Sequence, residues 1–169
     1  DLKIEIIINK EDKTLTFRDN GLGMDEEEVK SYLNQLAFSS AEEFLSKYKG
    51  ETNIIGHFGL GFYSAFMVAA KVEVITKSYK ENAIAVKWTC EGDTNFSIEP
   101  IEKAERGTDI VLYLTDEAKD FLEESKIESL LEKFCKFLPI PIKFGTRKEK
   151  TKEGDEEKEI EIDHIINNP

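Results

Sequence analysis

Apolar and polar positions alternate from the first residues of the chain. Leu2, Ile4, Ile6 and Ile8 are separated by mostly polar partners, NKEDK supplies a turn, and Leu15 and Phe17 alternate again in TLTFR. A period of two on both sides of a polar turn predicts a β-hairpin. DNGLGM (19–24) then breaks the alternation. Asp25 is a suitable helix N-cap and Glu28 completes a capping box, with Val29, Tyr32, Leu33 and Leu36 following at helical spacing. LAFSSAEEFLSKYKGETN (36–53) mixes small polar residues with isolated aromatics and predicts a connection holding a short helix near 41–48. Residues 62–69 are apolar on nearly every side and read as a buried helix.

Strand signals return in VEVIT (72–76), AIAVKWT (83–89), the region 96–98 and TDIVLYL (108–114). Helical periodicity covers 121–138 with a break near Ser125, and Pro139 and Pro141 end it, leaving PIKF extended. KEKTKEGDEEKE (148–159) is a charge run and reads as solvated loop. IEIDHIINNP (160–169) opens with a short strand pattern. Strands in several groups with helices between them predict one mixed sheet covered by helices on a single face.

Composition narrows the function. The 169 residues suffice for one well-packed domain, and 40% are hydrophobic. A net charge of −12 argues against a nucleic-acid or anionic-membrane surface, because phosphate backbones need clustered Lys and Arg. It leaves room for a single nucleotide, whose phosphates backbone amides can hold. Cys90 and Cys135 form no disulfide framework, which fits a reducing cytoplasm. No apolar run reaches the length of a membrane span, and no signal peptide is visible. A chain that opens at Asp1, directly in a strand pattern, reads as a fragment or a processed product.

Three clusters could carry chemistry. Gly56, Gly59 and Gly61 form G-x-x-G-x-G ahead of the apolar 62–69 segment. Glycines there let amides point at an anion over a helix N-terminus, or simply make a tight loop packed on the sheet. The spacing is neither a P-loop, since Phe62 stands where the lysine would follow, nor the dinucleotide fingerprint. Asp19 in DNGLGM is ordinary turn chemistry when taken alone. Its second glycine and the helix that follows favour another role, a carboxylate accepting hydrogen bonds from an exocyclic amine and a bound water. Such a group separates adenine from guanine. Gly107-Thr108 at the head of a strand says nothing by itself.

The order D-x-G-x-G, G-x-x-G-x-G, G-T says more. TLTFRDNGLGM, IIGHFGLGFYSAFMVA and RGTDIVLYL resemble, in that order and over nearly the whole chain, the ATP-binding domain of the ninety-kilodalton heat-shock chaperones of bacterial type, within the group sharing the Bergerat (GHKL) nucleotide fold. IINNP resembles that family's entry into its middle domain. The resemblance implies an α+β fold: a two-layer α/β sandwich with a mixed, mostly antiparallel sheet. It implies an ATP-binding domain over 1–147, lacking its first helices, and a charged linker over 148–169.

The resemblance also implies the site. Asp19 would bind the adenine amine, Gly23 and Thr108 would share its water network, and Met24 would pack on the base. Gly56, Gly59, Gly61 and Phe62 would offer amides to the phosphates of ATP or ADP, with Mg2+ bound through the nucleotide. The segment 34–55, with Asn34 and Phe38 among its nucleotide contacts, would be a lid. In the family a Lys-Ser-Gly-Thr run is usual there, whereas this chain has Phe38-Ser39-Ser40-Ala41 and lacks the positive charge. The family's general-base Glu and magnesium-linked Asn would precede the first hairpin, so no catalytic residue is assigned and the 169 residues alone are expected to be inactive. The parent would be an ATPase that clamps unfolded clients as a homodimer through further domains, with no nucleic acid or membrane partner. Another Bergerat-fold enzyme such as a histidine kinase is the alternative, against which the chaperone-like second glycine box speaks. A module that binds nucleotide without turnover is a third reading. His57 and His164 read as a loop and a tail side chain, the two cysteines as small core residues, and Trp88 as packing.

Overall fold

A computed structural model of the chain describes residues 1–33, 62, 64–91, 96–153 and 156–169. Among the described residues eight strands make one sheet in the order β5-β4-β3-β6-β2-β1-β7-β8. They are β1 (Ile4–Asn9), β2 (Thr14–Asp19), β3 (Ala69–Lys77), β4 (Ala85–Cys90), β5 (Phe96–Ile101), β6 (Gly107–Leu114), β7 (Ile142–Glu153) and β8 (Glu156–Ile165). Every pairing is antiparallel except β1 with β7. This is the mixed sheet that the strand pattern predicts, and the mostly antiparallel α+β fold that the resemblance implies.

The first helix forms where local rules put it. α1 (Glu26–Leu33) starts at a reciprocal capping box. The Glu28 amide donates to Asp25 Oδ1 at 3.0 Å, and the Asp25 amide donates to Glu28 Oε2 at 2.8 Å. Lys80, in the β3–β4 turn, pairs with both carboxylates at 2.6 and 2.9 Å and ties the helix start to the sheet. α2 (Glu124–Cys135) buries Ile127 and Leu131. A 3₁₀ segment, Asp116–Leu122, precedes it, and the two meet at extended Glu123, close to the expected break.

The core lies on one face of the sheet. Ile6, Leu15, Val72, Val74, Trp88 and Leu112 pack there against Val29, Leu33, Ile127 and Leu131 of the helices. Val29, Val72, Val74 and Val86 are essentially sealed from water. Each such side chain contributes about 1.5–3 kcal/mol relative to exposure. Asn167 closes the far end: its Oδ1 accepts the Ile142 amide at 2.7 Å, and its Nδ2 donates to the Leu138 and Ile140 carbonyls. The side chain thus satisfies a backbone that Pro139 and Pro141 keep out of helix.

Two expectations change. The helix expected over 62–69 is shorter: Phe62 is helical, but Ser64–Met67 is a 3₁₀ turn and Ala69 already belongs to β3. Pairing of Ala69 with Leu114, together with the Thr115 amide on the Val68 carbonyl, draws this apolar run into the sheet. Met67 is 83% exposed, contrary to full burial. The charge run 148–159 is not loop but hairpin, with β7 running to Glu153 and β8 returning from Glu156. Lys148 faces Glu161 and Lys150 faces Glu159 across it, so the charges complement one another over the ladder. The expected helix near 41–48 and Leu36 lie outside the described residues.

Candidate nucleotide-binding site

Strand register brings Asp19 and Thr108 together. They pair directly across β2 and β6, and Thr108 pairs in turn with Thr76 of β3. All three stand on the helix-covered face, at the end of the sheet where DNGLGM leaves β2. That loop is pressed against the end of β3: the Tyr79 amide donates to the Leu22 carbonyl at 2.7 Å, and the Met24 amide to Thr76 Oγ1 at 2.9 Å.

Two glycines make this approach possible. Gly23 has φ +63°, and a Cβ there would sit 1.8 Å from the Lys77 carbonyl oxygen. Gly107 has φ +120°, and its Cβ would sit 2.2 Å from the Asp19 carbonyl oxygen. Both conformation and space therefore demand glycine. Asn20 holds the other side of the loop, accepting the Lys3 amide at 2.7 Å and donating to the Asp1 carbonyl at 2.8 Å.

Asp19 is half-buried, and burial pushes its carboxyl above the usual carboxylate value. The amides of Gly21 and Thr108 pull it back, the former donating to Oδ1 at 2.8 Å. Among the described residues no cation forms an ion pair with it. A partly desolvated carboxylate held by amides is a strong acceptor without a counter-charge, which suits it to a neutral N–H donor. The cavity beside it, about 210 Å³ with Lys3, Arg18, Lys103 and Arg106 in its wall, is smaller than a typical ligand pocket.

Of the residues expected to bind nucleotide, the structure brings together Asp19, Gly23, Met24 and Thr108. The Phe62 ring packs edge-on against Trp88, with centroids 5.7 Å apart. Asn34, Phe38, Gly56, Gly59 and Gly61 lie outside the described residues, as does His57. Trp88 and Cys90 are buried as expected, and Cys135 is half-buried, its thiol pushed up by burial. His164 lines a separate cavity of about 460 Å³ with Glu124 and Glu128. Among the described residues no group of three His, Cys, Asp or Glu could hold a metal ion, and no helix is long and apolar enough to cross a membrane.

Sequence reading missed Thr76. The signal was present: it shares strand parity with Val72 and Val74, so a hydroxyl stands at a core position. Buried hydroxyls are there for a partner.

Comparison with known proteins settles the family. The profile of the histidine kinase-, DNA gyrase B- and HSP90-like ATPases matches residues 1–111. The chain belongs to this ATPase family. It is 57% identical over 168 residues to the chaperone protein HtpG of Bacteroides fragilis, covering 99% of this chain and 24% of that protein. It is 52% identical over 169 residues to HtpG of Porphyromonas gingivalis, covering 97% of this chain and 25% of that protein. With HtpG of Idiomarina loihiensis it shares 37% over 166 residues, 95% and 26% of the two chains. The chain thus spans about a quarter of the length of these curated relatives. Within the family, it is an HtpG-like ATP-binding domain.

Proposed function

We propose that this domain binds ATP and ADP through the base at Asp19 and serves an ATP-driven chaperone that clamps unfolded clients as a homodimer. The observation that carries the reading is the half-buried Asp19 carboxylate, held by the Gly21 and Thr108 amides, on a strand end whose carbonyl Gly107 approaches too closely for any side chain. Its acceptor oxygens match an exocyclic amine and mismatch a carbonyl, which selects adenine over guanine. Thr108 and Gly23 share a water at the base, and Met24 packs on the ring. The amides of Gly56, Gly59, Gly61 and Phe62 take the phosphates, with Mg2+ held through the nucleotide and residues 34–55 as a lid. Residues 148–169 lead towards a further domain, and the parent works in the cytoplasm.

Hydrolysis needs a carboxylate to activate water, and general-base assistance is worth about 10²–10⁴-fold in rate. The resemblance puts that Glu before the first hairpin, so the 169-residue chain releases no phosphate from ATP while the full-length protein does. The test is calorimetric titration of the full-length protein with ADP and GDP, alongside steady-state phosphate release from both chains. Binding of ADP in clear preference to GDP is expected. Equal affinity for the two removes Asp19 as the reader of the base, and equal turnover by the two chains locates the catalytic base within these residues.

A further inference from the structure

Thr76 is joined to three elements of the base site. Its residue is wholly buried, and its Oγ1 accepts the Met24 amide at 2.9 Å, lies 3.0 Å from Thr108 Oγ1 and reaches the Gly107 carbonyl at 3.2 Å. A hydroxyl has one proton to give. If Thr76 donates to Gly107, the Thr108 hydroxyl donates to Thr76 and turns its lone pairs to the pocket. If Thr76 donates to Thr108, the Thr108 proton is turned to the pocket instead.

We propose that Thr76 is a positioning residue for base recognition, a buried hydroxyl that fixes the Met24 backbone and sets the orientation of the Thr108 hydroxyl. This rests on the adenine reading of Asp19. Packing alone does not call for a hydroxyl here. The neighbours of the same parity are Val72 and Val74, the cross-strand partner in β4 is Val86, and valine has the same shape and a high strand propensity. The three contacts, two of them to residues of the base site and one to the glycine that abuts Asp19, account for the hydroxyl.

The experiment titrates the full-length protein and its Thr76→Val, Thr76→Ser and Asp19→Asn variants with adenosine and with ADP, melting temperatures being read alongside. Thr76→Val orphans the Met24 amide and frees the Thr108 hydroxyl, and should lose about tenfold in affinity for adenosine and ADP alike, leaving their ratio unchanged. Thr76→Ser keeps the hydroxyl and should remain within about threefold of the wild type. Wild-type affinity in Thr76→Val overturns the proposal. So does a Thr76→Ser loss as large as that of Thr76→Val, which would trace the effect to the methyl group. If Thr76→Val does not fold, Thr76→Cys replaces it; an intermediate loss supports the proposal and wild-type affinity overturns it. A wild type that binds neither ligand overturns the adenine reading and this inference together. Loss in Asp19→Asn with none in Thr76→Val overturns this inference alone.

Discussion

Two rows of side chains cross the same strands one residue apart and on opposite faces. On the inner face, Ile142, Ile4, Asp19, Thr108, Thr76 and Val86 follow one another from β7 to β4. On the outer face, Lys143, Glu5, Arg18, Asp109, Ile75, Lys87 and Glu99 run from β7 to β5. Each row contains an aspartate, and their surroundings differ in kind. Asp109 is 7% exposed and neutralised by Arg18 at 3.0 Å and Lys103 at 3.2 Å. Its carboxylate is already matched, as are those of Glu5 and Glu99 with Lys143 and Lys87. Asp19 is held by the Gly21 and Thr108 amides, and among the described residues no cation forms an ion pair with it. Burial without a directly paired counter-charge costs stability unless the group serves something else, which favours Asp19 over Asp109 as the candidate for recognition.

The comparison breaks most severely at the glycine that brings the inner row its loop. Gly23→Ala must place a Cβ against the Lys77 carbonyl in a left-handed conformation. Strain and overpacking together should cost roughly 2–4 kcal/mol, read as a fall in the urea midpoint, with nucleotide binding lost. Retention of wild-type ADP affinity at full stability would mean that the loop's close approach to β3 is dispensable.

Asp19→Asn comes next, exchanging an acceptor for a donor towards the base amine. ADP affinity should fall about 10–100-fold while the melting temperature at neutral pH is equal to or above that of the wild type. The pH profile supplies the sign. Asp19 titrates above 3.8 in the folded protein because of burial, so the folded state holds its proton more tightly than the unfolded chain. Its contribution to stability is therefore present below the ordinary value and lost as pH rises through the folded one. Binding runs the other way, since adenine needs the ionised form. Wild-type affinity should decline on acidification through that window, and the Asp19→Asn profile should be flat there. An equally steep decline in the variant would assign the titration to another group.

What could be read from the sequence follows from the range of each interaction. The capping box at Asp25 and Glu28 is a three-residue rule, and it was legible. The β1–β2 hairpin was legible through period-two alternation, and β6 through a run of strand-forming residues after the Gly107 turn. The β7–β8 hairpin was not, because a charge run says nothing of partners until Lys148 meets Glu161 across the ladder. The apolar run at 62–69 fits a buried helix or a strand equally well, and only pairing with Leu114 decides for strand at Ala69. Asp19 was legible as a candidate through its glycines, whereas Thr76 depends on Met24, 52 residues away in sequence.

The outer aspartate should give the smallest effect on binding. Asp109→Asn removes the charge shared by Arg18 and Lys103, and because the Arg18 side chain is about half exposed, water takes over much of that pairing. A loss of about 1–2 kcal/mol in stability is expected, from the buried hydrogen bonds rather than from the charges alone. ADP affinity at neutral pH should stay within about twofold of the wild type, since nothing on the inner row is altered. One trace of the outer row should remain. Asp109 is among the groups that raise the Asp19 carboxyl, so removing its charge should move the acid limb of the binding profile to lower pH. Titrations of both proteins across the acid range check this. A shift to higher pH, or a loss of affinity at neutral pH comparable with that of Asp19→Asn, would show that the two faces of the sheet do not divide structure from recognition.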